Sequence, residues 1–126
     1  MPKVRKAHVA GKFYPADPTM LLDDIQNLLD NATTHDLLLP EQTVPKAVIV
    51  PHAGYTYSGS VAASAYQFLK KFKDQIKKVV LLGPCHRVPI AGLALPSADF
   101  FETPLGQIPV DQDLRARIQS LGQVFE

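Results

Sequence analysis

The 126-residue sequence has a single cysteine and no large excess of charge of either sign. One cysteine, Cys85, excludes an intrachain disulfide framework and suits a reducing compartment. Thirteen basic residues stand against twelve acidic ones, which gives a formal net charge of +1. The chain therefore has no bulk field that would attract nucleic acid or an anionic membrane surface.

Long apolar segments are also missing. The basic N-terminus, MPKVRKAHVAGKFYP, has no apolar stretch behind it and is not typical of a signal peptide. No apolar run approaches the ~20 residues that span a bilayer. Because 46% of the residues are hydrophobic and 20% are charged, the composition is that of an ordinary globular protein. We therefore expect a cytoplasmic protein without nucleic-acid or membrane partners.

Three segments carry the apolar periodicity and the end signals of helices. Residues 16–33 predict a first helix capped by Asp17, residues 60–72 predict a second, and residues 110–122 predict a third, capped near Asp111. The side chains expected to face inward are Leu21, Leu22, Ile25, Leu28 and Leu29 in the first helix and Val61, Ala65, Phe68, Leu69 and Phe72 in the second.

Two short apolar runs predict strands buried on both faces, KAVIV at residues 46–50 and KKVVLLG at residues 77–83. IAGLALP at residues 90–96 predicts a third strand, and residues 101–110 predict a loop or short hairpin with Gly106 at its turn. Strand, helix and strand in this order predict an α/β fold, with a mostly parallel or mixed sheet flanked by helices. The 126 residues would form a single domain or a fragment of one.

Two histidines follow the two predicted buried strands. His52 lies two residues after the first strand and His86 four residues after the second, with one helix between them. Such a unit makes the strands parallel, so both histidines are expected at one sheet edge, where ligands of open α/β sheets bind. We expect the two imidazoles to share one ion or substrate, the alternative being separate hydrogen bonds to loop carbonyls.

Four neighbours of these histidines are candidates for lining the site. Tyr55 and Tyr57 would either line a pocket and donate hydrogen bonds or pack over the sheet edge. Cys85 would be either a thiolate nucleophile with histidine as base or a small buried residue. Arg87 would either hold an anionic group of a substrate or form a surface salt bridge. The catalytic residues, if any, stay unknown.

The remaining histidines and the nearest carboxylates have weaker claims. His35 lies in the polar loop at residues 31–45 and is expected to be exposed, and nothing in the spacing of His8 assigns it to the site. Asp99 and Glu102 are the carboxylates nearest in sequence to the second histidine, and they would complete a ligand set only if their loop folds back.

Four segments in order carry a resemblance to a known family. VAGKFYPADP, PHAGYTYSG, LLGPCHRVP and FETPLGQIPVD, which run from Val9 to Asp111, resemble the Memo family, called AmmeMemoRadiSam system protein B in prokaryotes. The resemblance implies a fold similar to the class III extradiol dioxygenases, which are non-haem iron enzymes. It also implies that the histidines of PHAGY and of GP-x-H, here His52 and His86, are metal ligands.

The resemblance further implies iron or copper binding and an oxidoreductase role in the full-length form. Its partners would be radical SAM and AMMECR-domain proteins, and oligomers are possible. The alternative is a non-catalytic module that binds a phosphopeptide or a radical SAM system partner in the same cleft, with Arg87 engaging the anion. A thiol-dependent hydrolase using Cys85 is a third hypothesis.

Two departures from the family pattern matter. Cys85 stands where relatives commonly have serine, which weakens the case for a thiol nucleophile. Family chains are longer, and their remaining ligands lie beyond Glu126. Two nitrogen ligands fall short of the three protein ligands of a 2-His-1-carboxylate site. We therefore expect metal binding by this chain alone to be weak or absent, and uncovered sheet edges to pair between molecules.

Overall fold

The computed structural model describes residues 1–33 and 43–125. The predicted loop around His35 lies largely outside these residues. The helices are α1 (Pro18–Asp30), α2 (Tyr55–Lys70) and α3 (Gln112–Gln119). The strands are β1 (Val4–Arg5), β2 (Leu93–Ala94), β3 (Phe100–Thr103), β4 (Gly106–Pro109) and β5 (Val124–Phe125). The structure therefore confirms a mixed α/β fold.

The chain divides into two units, which are described separately. One consists of residues 8–77 and contains α1 and α2. The other consists of Met1–Ala7 together with Lys78–Glu126 and contains α3 and the five strands. None of the helices in the described parts of the chain is long and apolar enough to cross a membrane.

Helix α1 forms where its end signals predict it. The Asp17 side chain accepts a hydrogen bond of 2.9 Å from the backbone N–H of Met20, and Pro18 occupies the first turn. The cap satisfies one of the N–H groups that a helix start leaves without a partner. Leu21 is buried as expected, whereas Leu22 is largely exposed and the prediction that it faces inward is wrong.

Helix α2 begins five residues earlier than predicted, at Tyr55. Gly54 precedes its first turn, and the Gly54 carbonyl accepts hydrogen bonds from the N–H groups of Tyr57 and Ser58. The motif PHAGYTYSG therefore lies half in a loop and half in a helix. Ala63 lies in the core of this unit, whereas Val61, which was expected to face inward, is exposed.

The sheet of the second unit has the strand order β1-β3-β4. Strands β1 and β3 are parallel, with Val4 opposite Phe100, and β3 and β4 form an antiparallel hairpin. The hairpin turn at Gly106 is confirmed, and its φ of 129° is one that a residue with a side chain rarely adopts. A separate parallel pair joins β2 to β5.

The predicted buried strands at residues 46–50 and 77–83 are absent, and both predictions are wrong. Neither run belongs to a helix or strand, and Ile49 is fully exposed. A β-branched apolar run becomes a strand only when a neighbour accepts its backbone hydrogen bonds, and no described strand pairs with either run. The third predicted strand, at residues 90–96, is reduced to the two residues of β2.

Helix α3 is capped by Asp111, as predicted. The Asp111 carboxylate accepts a hydrogen bond of 2.9 Å from the N–H of Leu114 and also forms an ion pair with Lys78. The Lys78 ammonium group, followed by the backbone N–H of Leu114, lowers the pKa of Asp111 below its usual value. The Asp111 side chain therefore links the start of α3 to Lys78.

Replacing Asp111 by Ala is expected to lower the melting temperature, because α3 loses both its cap bond and the ion pair. Since the pKa of Asp111 is lowered in the folded chain, the stabilisation is complete above the usual pKa of aspartate and is lost as the pH falls through the lowered value. Thermal unfolding of wild type and D111A over an acid pH series should show the difference shrinking.

Asp113 provides the matched control, because it is an acidic residue of the same helical turn whose side chain makes no cap bond. D113A should melt close to wild type. Equal decreases in melting temperature in D111A and D113A would show that negative charge near the start of α3, rather than the cap hydrogen bond, stabilises the helix.

Candidate functional site

The loop at residues 9–15, VAGKFYP, is ordered by its own backbone. The N–H groups of Lys12 and Phe13 donate to the carbonyl of Val9 at 3.0 and 2.9 Å. The N–H of Gly11 donates to the carbonyl of Tyr14 at 2.8 Å, and Gly11 has a φ of 77°. These bonds close a tight turn, which leaves the Phe13 carbonyl available to a partner outside the loop.

That partner is the motif PHAGYTYSG. The N–H of Tyr55 donates a 2.7 Å hydrogen bond to the Phe13 carbonyl, and the Ser58 hydroxyl donates to the carbonyl of Ala53 at 3.1 Å. A methyl group added to Gly54 would lie 3.3 Å from Phe13 backbone atoms, closer than ordinary carbon contacts. A backbone hydrogen bond therefore joins the two family-like motifs. A side chain at position 54 would crowd the Phe13 backbone, so glycine fits best there.

An open cleft of about 230 Å³ lies at this junction. Its lining combines the 9–15 loop with the start of α2 and one acidic side chain of α1: Gly11, Lys12, Phe13, Tyr14, Pro15, Asp24, Tyr55 and Thr56. The rings of Tyr14 and Tyr55 are 5.8 Å apart between centroids and tilted by 46°. This is an ordinary geometry for an aromatic pair.

Tyr55 is the lining residue with a shifted pKa. Partial burial raises the pKa of its phenol above the usual 10.0, with smaller contributions in the same direction from Tyr14, Tyr66 and Asp24. The hydroxyl is therefore neutral over the physiological range and acts as a hydrogen-bond donor or acceptor rather than as an anion.

The other candidates of this motif lie outside the cleft. Tyr57 is 86% exposed in the first turn of α2, and His52 is exposed in the loop ahead of that helix. Tyr55 lines the cleft, whereas Tyr57 is exposed to solvent, and a role for Tyr57 in a binding site stays a prediction.

Cys85, His86 and Arg87 lie on an exposed stretch that is neither helix nor strand. The expectation that Cys85 is a small buried residue is therefore wrong. The reason is that the predicted strand ahead of it, residues 77–83, does not form and places no core beside the thiol.

His52 and His86 belong to different units, residues 8–77 and Met1–Ala7 with Lys78–Glu126. Neither follows a strand, so the convergence expected from paired strand ends has no counterpart in the described topology. Within residues 1–33 and 43–125 no group of three or more His, Cys, Asp and Glu side chains could hold a metal ion. A shared site for the two histidines stays a prediction.

The two carboxylates near the second histidine stabilise the sheet instead. Asp99 accepts a 2.7 Å hydrogen bond from the backbone N–H of Lys3, and Glu102 forms a 3.0 Å ion pair with Lys6. Both contacts hold the N-terminal segment against β3. Tyr14 and the Phe13 carbonyl, by contrast, belong to the cleft and were not predicted. The family-like motif VAGKFYP, taken with the glycine before the start of α2, was the available signal.

The comparison with family models identifies the class of protein. The model described as Memo-like protein matches residues 5–126, which is nearly the whole chain. The chain belongs to the Memo family, as the four motifs predict.

Individual relatives agree with this assignment. The chain is 38% identical over 117 residues to a MEMO1 family protein of Aquifex aeolicus, a match that covers 92% of this chain and 40% of the relative. It is 35% identical over 123 residues to Protein MEMO1 of Homo sapiens, covering 97% and 38%. A MEMO1 family protein of Pyrobaculum arsenaticum is 38% identical over 118 residues, covering 89% and 40%. The chain spans about two-fifths of the length of these curated relatives.

Gly54→Ala is expected to lower the free energy of unfolding by about 1–3 kcal/mol, the usual cost of overpacking. The added methyl group meets the Phe13 backbone, which the turn at residues 9–15 prevents from moving away. Urea unfolding measures the loss. Gly83→Ala is the matched control, because no atom lies within 4 Å of a methyl group added there. A G54A variant as stable as G83A would contradict the close approach.

Tyr55→Phe is expected to remove one alkaline ionisation from the chain. The difference in phenolate absorbance between wild type and Y55F, followed during a pH titration, should have its midpoint above about 10. Because the folded pKa is raised, the neutral phenol contributes stability below the unfolded value and loses it as the pH rises through the folded value. Wild type should therefore lose stability relative to Y55F in alkali. A midpoint at or below 10 would contradict the partial burial.

Proposed function

We propose that this chain contributes His52 and His86 as ligands of an iron or copper site, and that the full-length Memo-family protein has an oxidoreductase role. One observation carries the proposal. The PHAGY histidine is exposed directly ahead of a helix start that a backbone hydrogen bond and a glycine contact attach to a second family motif. The exposed ring is accessible to a metal ion from solvent.

The donor chemistry suits these metals only in part. Neutral imidazole is a good ligand for iron and for copper, and both side chains are exposed to solvent. Two nitrogens do not make a complete site, and the described residues hold no cluster of three or more candidate ligands. The proposal therefore assigns two ligands to this chain and leaves the others to residues beyond those described.

The residues around each histidine have distinct tasks in this proposal. The neutral Tyr55 hydroxyl, in the cleft beside Tyr14, would donate a hydrogen bond to a bound molecule and orient it. Arg87, next to His86, would attract an anionic group. The bound metal would supply Lewis acidity and redox activity. No catalytic residue is assigned within the chain.

Metal titration tests the ligand assignment. Under anaerobic conditions, isothermal titration of the full-length protein with Fe(II), Cu(I) and Zn(II) should show binding that is weakened by at least about tenfold in H52A and in H86A, whereas the 126-residue chain alone should bind these metals weakly or not at all. Electron paramagnetic resonance of the full-length protein loaded with Cu(II) should show nitrogen ligands in wild type, with the signal changed in each variant.

His8→Ala is the matched control, because His8 is an exposed histidine with no assigned role. Identical titrations of wild type and H52A would remove His52 from the ligand set. If no metal binds and a phosphotyrosine peptide is retained by the chain with both histidines replaced, a non-catalytic binding module would replace the metal proposal.

A further inference from the structure

Ser58 is a buried polar residue near the start of α2. Only 9% of its surface is exposed, and its hydroxyl donates a 3.1 Å hydrogen bond to the carbonyl of Ala53. A serine inside a helix usually donates to a carbonyl three or four residues back in the same helix, as Ser64 does to Ser60. Ser58 instead reaches five residues back, past Gly54, to a residue outside the helix. The bond therefore ties the loop ahead of α2 to the helix.

The burial of Ser58 comes from the packing of α1 against α2. A methyl group added to Gly59, the next residue, would lie 3.0 Å from a side-chain carbon of Leu28 in α1. The two helices therefore approach closely at this turn and screen the serine from water. A hydrogen bond screened from water is electrostatically stronger than an exposed one.

Two consecutive peptide groups ahead of α2 are held in this way. The carbonyl of Ala53 accepts from the Ser58 hydroxyl, and the N–H of Tyr55 donates to the Phe13 carbonyl at 2.7 Å. Across the trans peptide that joins them, the Cα atoms of His52 and Ala53 are about 3.8 Å apart. His52 therefore lies one residue from a peptide group whose orientation the serine fixes.

The two ends of the Ser58 hydrogen bond differ in their access to water. The serine is buried, whereas Ala53 is exposed in the loop. Without the hydroxyl, the Ala53 carbonyl could turn toward solvent and accept from water. The helix would keep its backbone bonds, among them the 3.1 Å bond from the Ser58 N–H to the Gly54 carbonyl. The hydroxyl is thus better suited to orient the loop than to hold the helix together.

We propose that Ser58 is a positioning residue for His52, because its hydroxyl fixes the following peptide group and so restricts the backbone that carries the imidazole. The inference deepens the proposed function and rests on it for the metal, whereas the restriction of the backbone exists without any metal. A ligand on a restricted backbone loses less conformational freedom on binding than a ligand on a free loop, which favours binding.

Backbone amide relaxation, measured by nuclear magnetic resonance on the metal-free full-length protein, tests the restriction directly. The amide of Gly54 belongs to the same peptide group as the Ala53 carbonyl, and the amide of Ala53 joins that group to His52. In wild type both amides should have order parameters near about 0.85, and in Ser58→Ala both should fall toward about 0.6. The order parameters of the remainder of α2 should be unchanged.

Ser60→Ala is the matched control, because Ser60 is an exposed serine of the same helix, and this variant should match wild type. Ser58→Cys keeps the size of the side chain with a weaker donor, so its order parameters should be intermediate and decide the matter if S58A does not fold. Unchanged order at Ala53 and Gly54 in S58A, an equal loss in S60A, or a loss spread along α2 would overturn the proposal.

Metal titration of the full-length protein connects Ser58 to the proposed function. S58A should weaken binding about tenfold, the lower end of the loss that follows removal of groups that orient metal ligands. Adding S58A to H52A should cause no further loss, because both changes act through the same ligand. A further tenfold loss in the double variant would overturn a role through His52. A wild type that binds no metal would refute the proposed function, and the order parameters would still decide the role of Ser58.

Discussion

A backbone hydrogen bond from the N–H of Tyr55 to the carbonyl of Phe13 joins the loop at residues 9–15 to the start of α2, and the cleft between these segments depends on it. Its donor is the first residue of α2, one of the N–H groups that a helix start leaves without an internal partner. Gly54 has no side chain that could cap the helix, and a methyl group there would press on the Phe13 backbone. The glycine therefore permits an approach through which the loop at residues 9–15 takes over the role of a cap.

This constraint separates the two tyrosines of the motif. In a helix each residue advances by about 100°, so Tyr55 and Tyr57, two positions apart, lie on nearly opposite faces. The bond to Phe13 turns the face of Tyr55 toward the 9–15 loop, where its ring meets Tyr14, and leaves Tyr57 in solvent. The raised pKa of Tyr55 follows from the same burial.

The features that could be predicted from the sequence are those determined by a few adjacent residues. The caps at Asp17 and Asp111 and the hairpin turn at Gly106 are of this kind, since their hydrogen bonds span only three residues. The predictions of strands at residues 46–50 and 77–83 are wrong because a strand depends on residues far away in the sequence. An apolar, β-branched run indicates that a segment is suited to a sheet, but it does not determine which strand will pair with it. The strand pairs that form in this structure involve other residues.

The candidate site residues also fall into two groups, those positioned by contacts between ordered segments and those that lie on exposed stretches. The cleft at Tyr55 is built by contacts between two ordered segments, whereas His52 and His86 lie on exposed residues outside helices and strands. A ligand held by such a stretch binds a metal ion only after its backbone freedom is lost, which opposes binding.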